Sequence, residues 1–375
     1  MHPSWPWCLK RVECGTIFAL PLVLPCPLRK GDARWAGSGT DAGRRARRGV
    51  RVCAGMYRYP LEPVADLAGQ GPTLRVMQWN VLADGLAQTG GFCRCPPEKL
   101  EWAHRGPRIL REILDAQADV VCLQEVNFYE RVLAEVGPMG FDGVFLEKQD
   151  SPAARAGAGA DGIALLWRRS ALRPVAPPDC APYAGGKDNQ GRIVALFEVL
   201  KGGGDEGGGG GRLLVASTHL KAKHGADLDA KRSAQTRELL SAVAGALEGG
   251  AGGGTHVIIT GDFNTCPTTG DAFRQVLDFD AERLGFRSAY ALPREVGDAT
   301  AGAPTGHFTT WKFRDDGSEK KECIDYVFVS KDVAVRKRRK LPAEDDIGAG
   351  ALPCEDYPSD HLALLVDVQL VQNGR

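Results

Sequence analysis

The 375-residue chain has no surplus of charge of either sign, because 47 lysines and arginines balance 47 aspartates and glutamates. A dedicated polynucleotide binder usually carries a basic excess, so the neutral total argues against one while leaving room for a local basic pocket. No apolar run reaches the roughly 20 residues that a membrane-crossing helix needs. The stretch from Thr16 to Leu28 is apolar but short, and Pro21, Pro25 and Pro27 interrupt it, which also speaks against a secretory signal. Zinc-ligand spacing is missing too. Eleven cysteines are scattered, and although Cys93 and Cys95 form a C-x-C, no second pair stands at a suitable distance. Reduced thiols in an intracellular protein are expected. No fixed-period repeat is present. What remains is ordinary globular composition, 43% hydrophobic and 25% charged.

Acidic residues are scarce at the start. Up to Pro60 only Glu13, Asp32 and Asp41 oppose eleven lysines and arginines, with Arg44, Arg45, Arg47, Arg48 and Arg51 clustered near the end. An Arg-rich, acid-poor leader over residues 1–70 has the character of a transit peptide for an organelle, chloroplast or mitochondrion, and the stretch around Cys53 suits a processing site. A disordered basic tail would share that composition, and without an address the protein is expected in the cytoplasm. Residues 71–372 are expected to form one folded domain.

From Leu74 onward strands and helices alternate. Leu74–Leu82, Asp119–Val126, Gly162–Trp167, Arg192–Leu200, Arg212–Leu220, His256–Asn264, Cys323–Ser330 and Leu362–Leu370 read as strands. Pro107–Ala118, apolar at Ile109, Leu110, Ile113 and Leu114, and Asp229–Leu247 read as helices. The run KGGGDEGGGGG between two strands reads as a flexible hairpin connection. Many β-branched strands with few helices predict an α+β protein, two packed and mainly antiparallel β-sheets flanked by helices in a four-layer sandwich. Several strands end or begin beside polar residues, which would then gather at one rim.

Those polar residues carry the chemistry. Asp262 follows Val257, Ile258 and Ile259, and a carboxylate there is costly to bury unless paired or bound to metal. Gly261 permits a sharp turn before it, and Asn264 lies two residues on; the trio reads equally as an ordinary turn. Glu125 emerges from an apolar strand and suits a hard cation such as magnesium, which keeps several waters, or a rim ion pair with an arginine. Asn80 ends the first strand, where its amide could complete a cation shell or merely cap the strand. Asp360 and His361 precede the last strand, and Asp325 is an expected orienting partner for His361. His219 ends another strand. Lys221 and Lys223 follow it and would share a side if the chain stays extended.

Each signal is weak alone, but the order W-N, L-Q-E, S-T-H-L, G-D-F-N, D-Y and S-D-H resembles the endonuclease/exonuclease/phosphatase superfamily from about Leu74 to Leu370. Longer stretches, among them RVMQWNVLA, CPPEKLEW, VASTHLKAK, KRSAQ, TTWKFR and YPSDHLAL, resemble the nocturnin family within it, with poly(A) deadenylases of the carbon-catabolite-repressor type as near relatives. The resemblance implies the DNase I-like sandwich, with 71–372 as the catalytic domain. It implies a metal-dependent phosphomonoesterase that removes the 2′-phosphate of NADP(H), using magnesium with manganese as a substitute. It implies that Asn80, Glu125 and Asp360 lie at the metal. Asp262, Asn264, Asp325 and His361 would form the catalytic set with His219 near the scissile phosphate, and Lys148, Lys221, Lys223 and Arg314 would hold the dinucleotide. Two departures bear on the substrate. Lys223 stands where animal members have arginine, and the interval from Arg314 to Asp325 is one residue longer. A 3′ exoribonuclease acting on poly(A), with RNA as partner, is the first alternative; an inactive RNA- or protein-binding scaffold is the second. A monomer without a transmembrane segment is expected.

Overall fold

The computed structural model describes residues 59–371 apart from 65, 67–68, 185–189, 201–210, 251–253, 269 and 291–306. Expectations for the leader up to residue 58 and for the glycine-rich connection 201–210 lie outside the described residues. Those described belong to the unit Ala54–Arg375.

In chain order the strands are β1 (Leu61–Pro63), β2 (Thr73–Asn80), β3 (Val120–Val126), β4 (Phe141–Glu147), β5 (Gly162–Arg168), β6 (Leu172–Pro174), β7 (Asp179–Pro182) and β8 (Gly191–Val199). There follow β9 (Arg212–His219), β10 (Thr255–Asp262), β11 (Arg287–Ser288), β12 (Thr310–Phe313), β13 (Glu319–Glu322), β14 (Asp325–Val329), β15 (Val333–Arg339) and β16 (Leu364–Leu370). One sheet runs β1-β15-β16-β2-β3-β5-β4, the other β11-β14-β10-β9-β8-β6 with β7 also on β8, and β12-β13 is a separate hairpin. Only β2–β3 and β9–β10 pair in parallel, so the sandwich is mainly antiparallel, as the strand-rich pattern predicts.

Alternation along each strand sorts its side chains into two cores. In the second sheet Leu213, Val215, Ile258, Val327 and Val329 join the large cluster between the sheets. Their neighbours Leu214, Ala216, Val257, Ile259 and Phe328 pack instead with Leu239 and Val243 of the helix Ala226–Gly250 and with Phe273 and Val276 of the helix Asp271–Asp278. Burial on both faces explains why these strands read as continuous apolar runs. Against the first sheet lies the helix Trp102–Ala116, whose Ile109, Ile113 and Ala116 enter the large cluster. It starts a turn earlier than its periodicity suggests and runs through Pro107, which forfeits one backbone bond there. It ends at Gln117, in the left-handed region with φ 52°.

Leu61–Pro63, ahead of residue 71, pairs with β15, Pro63 against Lys337, and Asp66 is ion-paired with Arg287. Three residues carry too little pattern to be read as a strand. No helix among the described residues is long and apolar enough to cross a membrane.

Strand direction explains where the polar groups collect. β2 and β3 are parallel, so Asn80 and Glu125 come to the same end, and β9 and β10 are parallel, with His219 opposite Asp262. β14 and β16 run the other way, so it is their beginnings, Asp325 and the residues before Leu364, that reach that rim.

Candidate active site

Asp262, 1% exposed, is the hub. Its Oδ1 accepts the Asn264 N–H at 2.9 Å and its Oδ2 accepts Nδ2 of Asn80 at 3.0 Å. The same Oδ2 faces Nε2 of His219 at 3.5 Å and Nε2 of His361 at 3.8 Å. Gly261 serves close approach, not the turn expected of it. β10 continues through Asp262, and a Cβ at Gly261 would stand 2.1 Å from the Thr218 carbonyl oxygen of β9. Asn80 also donates from Nδ2 to Glu125 Oε1 at 3.1 Å, while Glu125 Oε2 accepts the Ala83 N–H at 3.0 Å. Glu125 sits on a bulge in β3 with φ 58°, and Asn264 has φ 49°. Left-handed backbone at non-glycine positions is uncommon and persists where surroundings over-determine it, commonly at functional sites.

Asp325 and His361 form the expected pair. Nδ1 of His361 lies 2.9 Å from Asp325 Oδ2, which also accepts the Thr309 hydroxyl at 2.6 Å. Burial alone would lower the His361 pKa, but the carboxylates of Asp325, Asp360 and Asp262 outweigh it and raise the imidazole to about 9. His219 goes the other way. Burial, reinforced by Lys148, lowers it to about 4 despite Asp262. At neutral pH one Asp262 carboxylate therefore faces a neutral imidazole and an imidazolium.

Asp360 keeps other company than expected. Its carboxylate is buried against Nζ of Lys312, with Arg314 Nη2 at 3.9 Å. Burial would raise its pKa, yet Lys312, His361 and Arg314 hold it well below the ordinary carboxylate range. The carboxylate thus already has a cation, and the structure links it to Lys312 and not to Asn80 or Glu125. The other basic residues also differ in setting. Lys148 pairs with buried Asp161 at 2.6 Å and lines, with His219, Gln190 and Leu146, a shallow open crevice. Arg314 bonds the Gly90 carbonyl and lies 4.1 Å over the Phe92 ring. Lys223 has φ 76°, so the chain after His219 does not stay extended as the lysine alternation assumed.

Three residues escaped sequence reading. Lys312 lies between Trp311 and Phe313 on β12, where alternation marks it as facing away from both. Thr309 accepts the Ile324 and Asp325 N–H groups at 3.0 and 3.1 Å while donating to Asp325; nothing in the sequence points to it. Arg105, fully buried, donates to the carbonyls of Leu100, Val81, Leu82 and Pro358 and so ties the turn after Asn80 to the turn before Asp360. Its signal was a charge four residues before Ile109 on an apolar helical stripe.

The donor chemistry suits a divalent cation. Glu125 and Asp262 converge on a single Asn80 amide group, and Oδ1 of Asp325 is buried without a partner. Ligand atoms of Asp262, Asp325 and His361 also lie within 4.8 Å of one another. Since His361 already shares Nδ1 with Asp325 and is held protonated, the carboxylate oxygens of Glu125 and Asp262 are the better match to a hard cation, with Asn80 fixing both through Nδ2 while its Oδ1 accepts the Leu82 N–H.

A two-sheet sandwich with acidic, amide and imidazole groups on one rim defines a class, and comparison identifies it. Residues 77–361 match the Endonuclease/Exonuclease/phosphatase family, and the chain belongs to it, within the nocturnin-like branch. It is 35% identical to nocturnin of Drosophila melanogaster over 82% of this chain and 48% of that protein, and 34% identical to human nocturnin over 82% and 68%. It thus spans about half of the first relative's length and about two thirds of the second's. A solved structure of the human nocturnin catalytic domain with bound sulfate anion superposes with a TM-score of 0.60 at 28% identity, over 81% of this chain and 97% of that one.

Proposed function

We propose that the chain is a magnesium-dependent phosphomonoesterase that hydrolyses the 2′-phosphate of NADP(H) to give NAD(H) and phosphate. One observation carries the chemistry: the buried Asp262 carboxylate faces His219 and His361 while sharing the Asn80 amide with Glu125. The substrate rests on the nocturnin-like sequence and on the basic residues Lys148, Lys221, Lys223 and Arg314.

Glu125 and Asn80, beside Asp262, would hold the cation, with manganese as a substitute. When bound it neutralises charge developing on phosphoryl oxygens. Asp262, its carboxylate fixed in place by two hydrogen-bond donors, orients the attacking water and accepts its proton. Protonated His361, aimed by Asp325 and Thr309, presents Nε2–H to a phosphoryl oxygen and stabilises the transition state. His219, neutral at pH 7, keeps one N–H to donate to the transferring group, as does Asn264. Removing one such donor typically costs about 3 kcal/mol, or roughly a hundredfold in rate. Lys148, Lys221, Lys223 and Arg314 supply positive charge for the remaining phosphates.

A poly(A)-specific 3′ exoribonuclease is the second reading, favoured by the stacking of Arg314 on Phe92 and of Arg94 on Phe313, since such pairs can seat nucleobases. Assaying NADP and poly(A) side by side decides between them. We expect phosphate from NADP and little AMP from poly(A); AMP without phosphate from NADP reverses the order.

A further inference from the structure

The loop after β9 carries Lys221 and Lys223 directly behind His219, and it has no regular secondary structure of its own. At its near end it is tied to the active site. The Leu220 N–H donates to the Asp262 carbonyl at 2.9 Å, and the Leu220 carbonyl accepts Nδ2 of Asn264 at 3.1 Å. At its far end it is tied to the helix Ala226–Gly250. Nη1 of Arg232 reaches the carbonyls of both Lys221 and Lys223, at 2.7 and 2.6 Å, and Nη2 pairs with Asp229. Gln235, one turn further along, accepts the Lys221 N–H at 2.9 Å.

Arg232 is 2% exposed. A buried guanidinium is costly unless its hydrogen bonds are met, and here its main partners are carbonyls two residues apart in a neighbouring loop. Between them the backbone passes through φ 76° at Lys223, a conformation that a non-glycine residue adopts only when its surroundings impose it. Nη1 of one arginine supplies that imposition, while Nη2 anchors the guanidinium on Asp229. A lysine, with a single compact ammonium, has no second nitrogen to hold Asp229 while it bonds both carbonyls.

We propose that Arg232 is a positioning residue. It acts through the backbone of Lys221 and Lys223 to hold this loop in the shape that presents both lysines to a phosphorylated ligand. The proposal rests on the reading of these lysines as substrate-binding groups. It adds that their placement is set from a helix whose arginine touches no substrate.

The experiment is a double-mutant cycle on the full chain, read by calorimetric titration with inorganic pyrophosphate in the absence of divalent metal. Replacing Lys221 and Lys223 together by alanine should weaken binding by roughly tenfold or more, and Arg232→Gln by roughly tenfold, while the combination loses no more than the lysine pair alone. Arg232→Lys, which keeps the charge but loses the second nitrogen anchored on Asp229, should lose nearly as much as Arg232→Gln, and it carries the test if the glutamine variant does not fold. Effects that multiply in the cycle would show a merely structural arginine and overturn the proposal. So would an Arg232→Lys chain that binds like wild type, or a wild-type chain that binds no pyrophosphate. Because no turnover is read, the two ideas can fail separately. Lysine- and Arg232-dependent pyrophosphate binding without phosphate release from NADP would uphold the loop and remove the NADP reading.

Discussion

Two imidazoles against one carboxylate ought to titrate in opposite directions. In metal-free protein we expect NMR titration to place His361 near pH 9 and His219 near pH 4. Asp325→Asn removes the main force raising His361 against its burial, so its pKa should fall from about 9. A His361 resonance that stayed near 9 in that variant would refute the pairing. Stability follows with defined signs. His361, raised in the folded state, contributes stability that is complete below about pH 6.5 and is lost as pH rises through about 9. His219, lowered, contributes stability present above about 6.5 and lost as pH falls through about 4. At this scale the sequence was informative wherever a polar residue interrupts an apolar strand, as at Glu125, Asp262 and Asp325. It was silent wherever a role depends on what packs nearby. Lys312 finds Asp360 across 48 positions and Thr309 finds Asp325 across 16, and no local pattern announces either meeting.

Among the elements, the strands with both faces buried were legible because a short, continuous β-branched run is seldom anything but a buried strand. Those missed were β1, β4, β6, β7, β11, the β12–β13 hairpin and β15, which are short, half-exposed or strongly charged. β15 contains Arg336, Lys337, Arg338 and Arg339 and forms a strand because β1 and β16 pair with it from both sides. Loops were the least legible, since their shapes are imposed by side chains from elsewhere. Arg105 is the clearest instance. Its four carbonyl bonds join the segments on which Asn80 and Asp360 are mounted. Arg105→Met should therefore destabilise the domain by about 3 kcal/mol, leaving buried carbonyls unpaired. Urea unfolding would measure it, and a midpoint within error of wild type would contradict the clamp.

For the molecule as a whole, the family and the sandwich were readable because six short motifs occur in one order, and no single motif would have sufficed. The neutral total charge could not show that Lys148 would pair with Asp161 or Lys312 with Asp360. We further propose that the Arg-rich segment before Leu61 addresses an organelle. Mass spectrometry of the native N-terminus is expected to find it cleaved near Cys53, and an intact Met1 would count against that. The central claim is that distant residues converge on one metal-dependent phosphoesterase centre acting on NADP. The most direct test is phosphate release from NADP by the purified chain and by Glu125→Ala, each with magnesium and with chelator. The account predicts magnesium-dependent release by the wild type and a loss of roughly a hundredfold or more in the variant. Wild-type turnover by Glu125→Ala would contradict it.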